Sequence, residues 1–491
     1  MNLFKISFFL LTLLICILLI IYAVNIYPIP GVDSIVFIPT AILYSQGYGF
    51  INPWYYVTYY TDPTYSGLFN YYVPFFPMAL GILSKMKPDI KTIFFICSIF
   101  SITNLLLFYY KIQSITKNVN SKILKIILLL SIPYLTTYFL PTVGRPETFT
   151  TLFSFIIYLL YSKRDNINIF VYNAVVCLLF SFLLSSQIMS FFFSFSIYIT
   201  YELLNTKKLP KCIWVNGVRL IAILGLTCFI ISCSPIGLSG TITGIKLHIA
   251  YINTRHDNST NLLLYYWTIA PLNVGFLFIF LMCIFFYIKE LQQKLKEINL
   301  VRKVLIIFLQ IILIYGIIKF ILYAAPTIYN ATQFILPISC YIIYNLINFN
   351  ITSFKNVFNT FILISYISGT FLMIRGFILF IDNIHEGKSF ENAKNIVRNI
   401  TSNESNVYFS QNLWYLNDSL KRNKLVYLDK LKKDDLLIYS EVYREIPTEF
   451  FQKCDIFYDW RTKGKKDFLG IPIRKHPQGF SFVVFKVKDK W

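Results

Sequence analysis

The sequence predicts an α-helical polytopic membrane protein of about eleven to twelve spans, with a small α/β domain at its C-terminal end. The first observation behind this reading is composition: 56% of the 491 residues are hydrophobic and 14% charged, where a soluble chain carries about a quarter charged residues. The second is a series of apolar runs such as Phe9–Tyr22, Ile93–Tyr109, Ala222–Ile231 and Phe276–Ile288. These are parts of stretches near the ~20 residues a helix needs to cross ~30 Å of hydrocarbon. The third is an abrupt change of character after residue 383, which divides the chain into a membrane domain, 1–383, and a soluble domain, 384–491.

Spans are expected at roughly 4–26, 92–110, 123–141, 148–162, 168–185, 188–203, 213–235, 263–287, 304–324, 331–348 and 354–380. The first run is not read as a signal peptide, because no small-residue cleavage site follows it and many similar runs come after. The basic connections are Lys111–Lys125, Ser162–Asp165, Lys207–Lys211, Lys289–Lys303 and Asn350–Lys355. With the N-terminus in the cytoplasm of a bacterial-type inner (plasma) membrane, all five fall on the cytoplasmic side. The outward set is then 28–91, 142–147, around Ser185, 236–262, 325–330 and the whole tail. This parity requires that Tyr71–Met86 not cross. It has 16 residues, about 24 Å as a helix, with Pro74 and Pro77 near its start, and is read as re-entrant or interfacial.

In the tail, Val407–Ser410, Leu425–Leu428, Leu436–Tyr439, Asp455–Trp460 and Phe480–Val487 have strand character, while Asn392–Ile400 and Tyr415–Arg422 have helical character. The net charge of +21 is carried mostly by the membrane domain, +15 against +6 for residues 384–491. That pattern encodes topology and argues against a nucleic-acid partner, while a positive tail near a bilayer favours anionic lipid. The nine cysteines are scattered, mostly within apolar runs, with no disulfide framework or zinc spacing.

Acids are scarce enough in the membrane domain to be weighed singly. Asp165, Glu202, Glu290 and Glu297 sit beside basic residues or in cytoplasmic connections, as solvated charges do. The outward acids are Asp33, Asp62, Asp89, Glu147, Asp257 and Asp382, and the four histidines, His248, His256, His385 and His476, are outward too. Between Pro28 and Ser84 there is no Lys or Arg, and Asp33 and Asp62 stand among tyrosines and Trp54. Aromatic rings with polar tips belong at a membrane interface; they also suit holding a sugar there. An Asp with no nearby cation keeps an elevated pKa, which suits a carboxylate that must accept a proton.

A second cluster, Pro141 to Glu147, closes a span on the outward side. Arg145 at this depth is costly unless it pairs or binds a ligand; it can contact Glu147, a lipid headgroup or a phosphate. A third, in loop 236–262, holds Lys246, His248, Arg255, His256 and Asp257. Arginine suits bidentate phosphate contact. His248, His256 and Asp257 are also types that hold a divalent metal, the one cofactor these residues suggest. A plain solvated loop accounts for each of them equally well.

Three of these segments resemble a known family. Gly31–Phe50, with Asp33 followed by an Ala–Leu helix and a Gly47-Tyr-Gly49 turn, resembles the first outward loop of integral-membrane glycosyltransferases of the GT-C class, most closely the protein-mannosyltransferase and aminoarabinose-transferase-like branch. Tyr72-Val-Pro74-Phe-Phe-Pro77-Met-Ala-Leu-Gly81 is similar to the proline-rich stretch that follows there. Gly144-Arg145-Pro146-Glu147 resembles the Arg-Pro-acid segment opening a later span. The likeness covers about residues 1–160, with Ser34 in place of the family's usual second acid.

The resemblance implies transfer of a sugar from a polyprenyl-phosphate-linked donor to a lipid, glycan or protein acceptor at the outer face of the bilayer. Asp33 would be the base and the anomeric centre would invert. Arg145, with Lys246 or Arg255, would bind the donor phosphate, and Asp62, Glu147, His248, His256 and Asp257 would give support or hold a metal. Two rival readings are a polymerase of lipid-linked O-antigen or capsule repeats, and a transporter or lipid-carrier flippase. The first calls for a large central arginine-rich loop, and 236–262 holds one arginine. The second calls for paired halves and acids at mid-span, and neither is present in the sequence.

Overall fold

The computed structural model describes residues 3–27, 34–52, 74–116, 144–205, 223–231, 233–254, 288, 291–323, 374, 376–401, 406–417, 431–440, 446, 448–461, 466–468, 471–474 and 480–488. Over these the protein is mostly helical, with a four-stranded sheet near the C-terminus. The expected spans 123–141, 263–287 and 331–348, the expected strand Leu425–Leu428, about half of 213–235 and most of 354–380 lie outside the described residues.

The helices are α1 (Leu3–Val24), α2 (Ser34–Ser45), α3 (Phe75–Leu83), α4 (Ile90–Thr116), α5 (Glu147–Ser162), α6 (Ile169–Ser186), α7 (Ile188–Asn205), α8 (Gly237–Thr254), α9 (Leu300–Tyr323), α10 (Gly376–His385), α11 (Phe390–Thr401) and α12 (Thr448–Lys453). By length and composition, Ile90–Leu107 of α4 and all of α6 are apolar and long enough to cross a membrane. At nine residues, α3 is only about 14 Å long, well short of a bilayer's ~30 Å.

Local chemistry sets where several helices begin. Asp89 accepts the Thr92 amide at 2.7 Å and so caps α4, which gives this acid a structural task. Asn168 does the same for α6 through Phe170 N at 2.9 Å. Pro146 precedes α5, with Glu147 in its first turn, where a carboxylate meets the positive end of the helix dipole. Only Gln187 separates α6 from α7, and a short 3₁₀ turn, Arg164–Asn166, separates α5 from α6. Connections this short make antiparallel neighbours, packed through Ile157, Val176, Phe180, Leu183 and Phe191. Polar contacts add to this packing: Ser154 meets Ser194 at 2.9 Å and Gln310 Nε2 donates to Thr200 at 2.9 Å.

Two expectations are corrected. Segment 236–262 is not a plain loop, because α8 occupies Gly237–Thr254. Leu238, Ile242, Ile245, Ile249 and Ile252 recur at helical spacing there and favour a helix over a loop. Of the helix expected at Tyr415–Arg422, residues 418–422 lie outside the described residues, while Tyr415 and Leu416 belong to a 3₁₀ turn at Gln411–Leu416, followed by Asn417 in extended conformation.

The sheet runs in the order β1 (Val407–Phe409), β2 (Leu436–Tyr439), β6 (Phe482–Val487), β3 (Cys454–Trp460), with β1 and β2 parallel and the other pairs antiparallel. A separate hairpin joins β4 (Lys466–Phe468) to β5 (Ile471–Arg474). Period-two alternation divides the central strands between two cores. Leu437, Val483, Phe485 and Val487 face a local core with Phe450 and Cys454. Leu436, Ile438, Phe482 and Val484 face the other way, into a core shared with Phe390, Trp414 and residues of α2, α3, α4 and α5. Among the described residues, this face of the sheet thus shares its core with the helices.

Candidate active site

Helix α2 is the element on which the three motif segments meet. It is apolar on every side, and Ser34 to Leu43 are all buried, as expected of a helix enclosed by protein. Its N-terminal residue, Ser34, is bonded to Asp33, which lies outside the described residues, as do Asp62, Arg255, His256 and Asp257.

The second motif reaches α2 through its last residue. A Cβ on Gly81 of α3 would sit 2.9 Å from Ala41 O and 2.9 Å from Tyr44 Cδ1, so only glycine allows this approach. Phe76 lies edge-on to Phe37 at 5.5 Å and to Phe149 at 5.0 Å, joining α2, α3 and α5. The third motif reaches it through Gly144. This residue has φ +81°, and a Cβ there would come within 2.5 Å of Ile38 Cδ1 and 3.5 Å of Ser34 Cβ. Segment 144–147 thus sits on the first turns of α2, beside the residue that follows Asp33.

There Arg145 and Glu147 form an ion pair. Arg145 Nε donates to both carboxylate oxygens at 3.1 Å, and Nη2 donates to Oε1 at 2.8 Å. Glu147 is 1% exposed and Arg145 16%. Of the contacts the sequence allowed Arg145, the one with Glu147 is formed. Two-point contact fixes the plane of the guanidinium, so the cation is held in place at the N-terminal end of α5.

The third cluster does not gather in the same way. Lys246 is exposed on α8. His248 lies on the same helix, two residues further along. Among the described residues no group of three or more His, Cys, Asp or Glu is placed to hold a metal ion.

Sequence reasoning missed two polar features. Glu202, expected as a solvated charge, is partly buried and accepts from Arg164 Nη1 at 3.0 and 3.1 Å, while Asp165 is exposed as expected. Asn52 is fully buried, and its Nδ2 donates to Ile35 O at 2.6 Å and Val36 O at 2.9 Å. Its signal in the sequence is Pro39, which leaves a carbonyl of α2 without its usual donor.

No known protein family, curated protein or solved structure matches this chain.

Proposed function

We propose that this chain is a polytopic membrane glycosyltransferase that moves a sugar from a polyprenyl-phosphate-linked donor to an acceptor hydroxyl at the outer face of the membrane. Asp33 is the general base. It takes the proton of the acceptor hydroxyl as the oxygen attacks the anomeric carbon; the bond from that carbon to the phosphate oxygen breaks and configuration inverts. Polyprenyl phosphate leaves as an anion, which Arg145 stabilises. A divalent metal, if used, would assist at the same phosphate.

The observation that carries this reading is the seating of Gly144–Glu147 on Ser34 and Ile38. It puts a preset guanidinium beside the turn that follows the only acid in the Gly31–Phe50 segment. A base and a phosphate-binding cation must flank the same bond, and two segments about 110 residues apart in sequence supply candidates for both. The membrane setting is supported by stripes of exposed apolar residues: Phe9, Leu10, Leu13, Ile17 and Val24 on α1, and Val304, Phe308, Ile311 and Tyr315 on α9. Surfaces this apolar call for an apolar environment.

The test is turnover of a polyprenyl-phosphate-linked sugar by purified protein in lipid vesicles. Asp33→Asn should abolish transfer while leaving insertion and the unfolding temperature unchanged; an active variant removes Asp33 from the mechanism. Mass spectrometry of surface glycans with and without the gene names the sugar and its attachment point.

A further inference from the structure

Pro39 stands at the sixth position of α2. A proline there has no N–H to return to the carbonyl four residues earlier, and its ring crowds that oxygen. The orphaned carbonyl is Ile35 O. It is nonetheless satisfied, because Asn52 Nδ2 donates to it at 2.6 Å and to Val36 O at 2.9 Å. One amide nitrogen thereby serves two carbonyls in the first turn of the helix, from a residue that is 0% exposed.

The path that brings Asn52 there is short. Twelve residues of α2 are about 18 Å long. Gly47 and Gly49, with φ of +81° and +85°, reverse the chain after Ser45, with Tyr48 N donating to Leu43 O at 3.0 Å. Residues 49–52 then run back beside α2; four extended residues cover ~13 Å, close to the ~12 Å that separates Leu43 from Ile35 along the helix. Phe50, buried and edge-on to Tyr44 at 5.5 Å, fastens this return to α2.

We propose that Asn52 is a positioning residue for the Asp33 end of α2: its amide replaces the donor that Pro39 removes and ties the first helical turn to the returning segment. A backbone bond from residue 39 would have joined Ile35 only to its own helix. The amide satisfies the same carbonyl from outside the helix, so an N–H restored at residue 39 can take over the greater part of its task. The inference rests on reading Asp33 as the base, and its test separates the two.

The experiment compares Asn52→Ala, Pro39→Ala and the double variant in the full-length protein in lipid vesicles. Two readouts are taken: turnover, and the rate at which a thiol reagent labels a cysteine substituted at the buried Ser34, followed by mass spectrometry at that site. Asn52→Ala should lower kcat by about tenfold to a hundredfold with little change in the donor KM, as small displacements of a reacting group do, and should speed labelling at position 34. The double variant should recover a large part of both, because residue 39 then offers Ile35 O an N–H.

Unchanged kcat and labelling in Asn52→Ala overturns the proposal, as does a double variant no better than the single one. Faster labelling with unchanged kcat also overturns it, by reducing Asn52 to a structural bond. Should Asn52→Ala fail to accumulate, recovery of accumulation and turnover in the double variant supports the proposal and continued failure overturns it. An active Asp33→Asn variant would sink the base assignment alone, since the labelling arm reads the hold on the turn without using turnover.

Discussion

At Gly144 the backbone holds φ at +81° while the absent side chain leaves room for Ile38. Alanine there would bear the cost of the left-handed region and press a methyl against a buried isoleucine. Gly144→Ala should therefore destabilise the protein by roughly 2–4 kcal/mol, read as a lowered unfolding temperature. Adding Ile38→Val removes Cδ1, the atom nearest the new methyl, and should return the steric part of the loss but not the backbone part. Its neighbour Arg145 faces the opposite problem. Arg145→Ala takes the guanidinium away from a carboxylate that is 1% exposed, and breaking a buried pair costs about 3–5 kcal/mol. Arg145→Ala/Glu147→Gln should be more stable than Arg145→Ala alone, because the remaining amide is cheaper to bury than a charge. In turnover the two should not separate: both should show weakened donor use with acceptor use little changed, and donor kinetics unaffected in both would reassign Arg145 to structure.

Helices and strands differ in how plainly the sequence announced them. α5, α6 and α7 fall within one or two residues of the runs 148–162, 168–185 and 188–203, because an uninterrupted apolar stretch between polar turns leaves few places for a helix to end. β2 matches Leu436–Tyr439 for a related reason: Leu436, Leu437 and Ile438 are buried on both faces of the sheet, and such a strand reads as a continuous apolar run. α8 was obscured by three glycines and three threonines in Gly237–Thr254, which mask a stripe visible only at period 3.6. The 3₁₀ turn at Gln411–Leu416 and the β4–β5 hairpin are held by packing and pairing with distant parts of the chain, which local composition does not carry. The site was legible as three separate segments; their convergence on α2 was not, since it depends on close approaches at Gly81 and Gly144 between elements far apart in sequence. Asp89 tests the element scale directly. As the cap of α4 its value lies in one hydrogen bond to Thr92 N, so Asp89→Ala should cost about 1 kcal/mol of stability with turnover at saturating donor unchanged. A variant that loses turnover but not stability would move Asp89 from cap to chemistry.

Among the described residues, the helices and the C-terminal sheet share a hydrophobic cluster. Tyr22 and Phe380 meet at 4.9 Å and Tyr27 OH donates to Gly376 O at 3.1 Å, joining the end of α1 to α10. Lys91 pairs with Glu391 between α4 and α11, and Trp414 is buried in the same cluster as Ile35 and Ile38. Just after α10 the chain passes Lys388, whose ammonium lies 4.1 Å from the centre of the Trp460 ring and donates to Trp460 O at 2.6 Å. Burial pushes this lysine down to about 8, against the opposing pull of Glu386 and Asp459. In the unfolded chain a lysine keeps its proton to about pH 10.4. Below pH ~8 both states carry the charge and stability is flat with respect to this group. Between ~8 and ~10.4 the folded protein has released the proton while the unfolded chain still holds it, so this residue's contribution to stability must rise with pH. Other lysines and tyrosines titrate in the same range, so the quantity to measure is the difference in unfolding temperature between wild type and Lys388→Met. That difference should move in favour of the wild type as the pH is raised from about 8 to 10, because methionine has no proton to release. A difference that stays constant across the interval would mean that Lys388 titrates like a solvated lysine and that the junction between α10 and β3 is open to water.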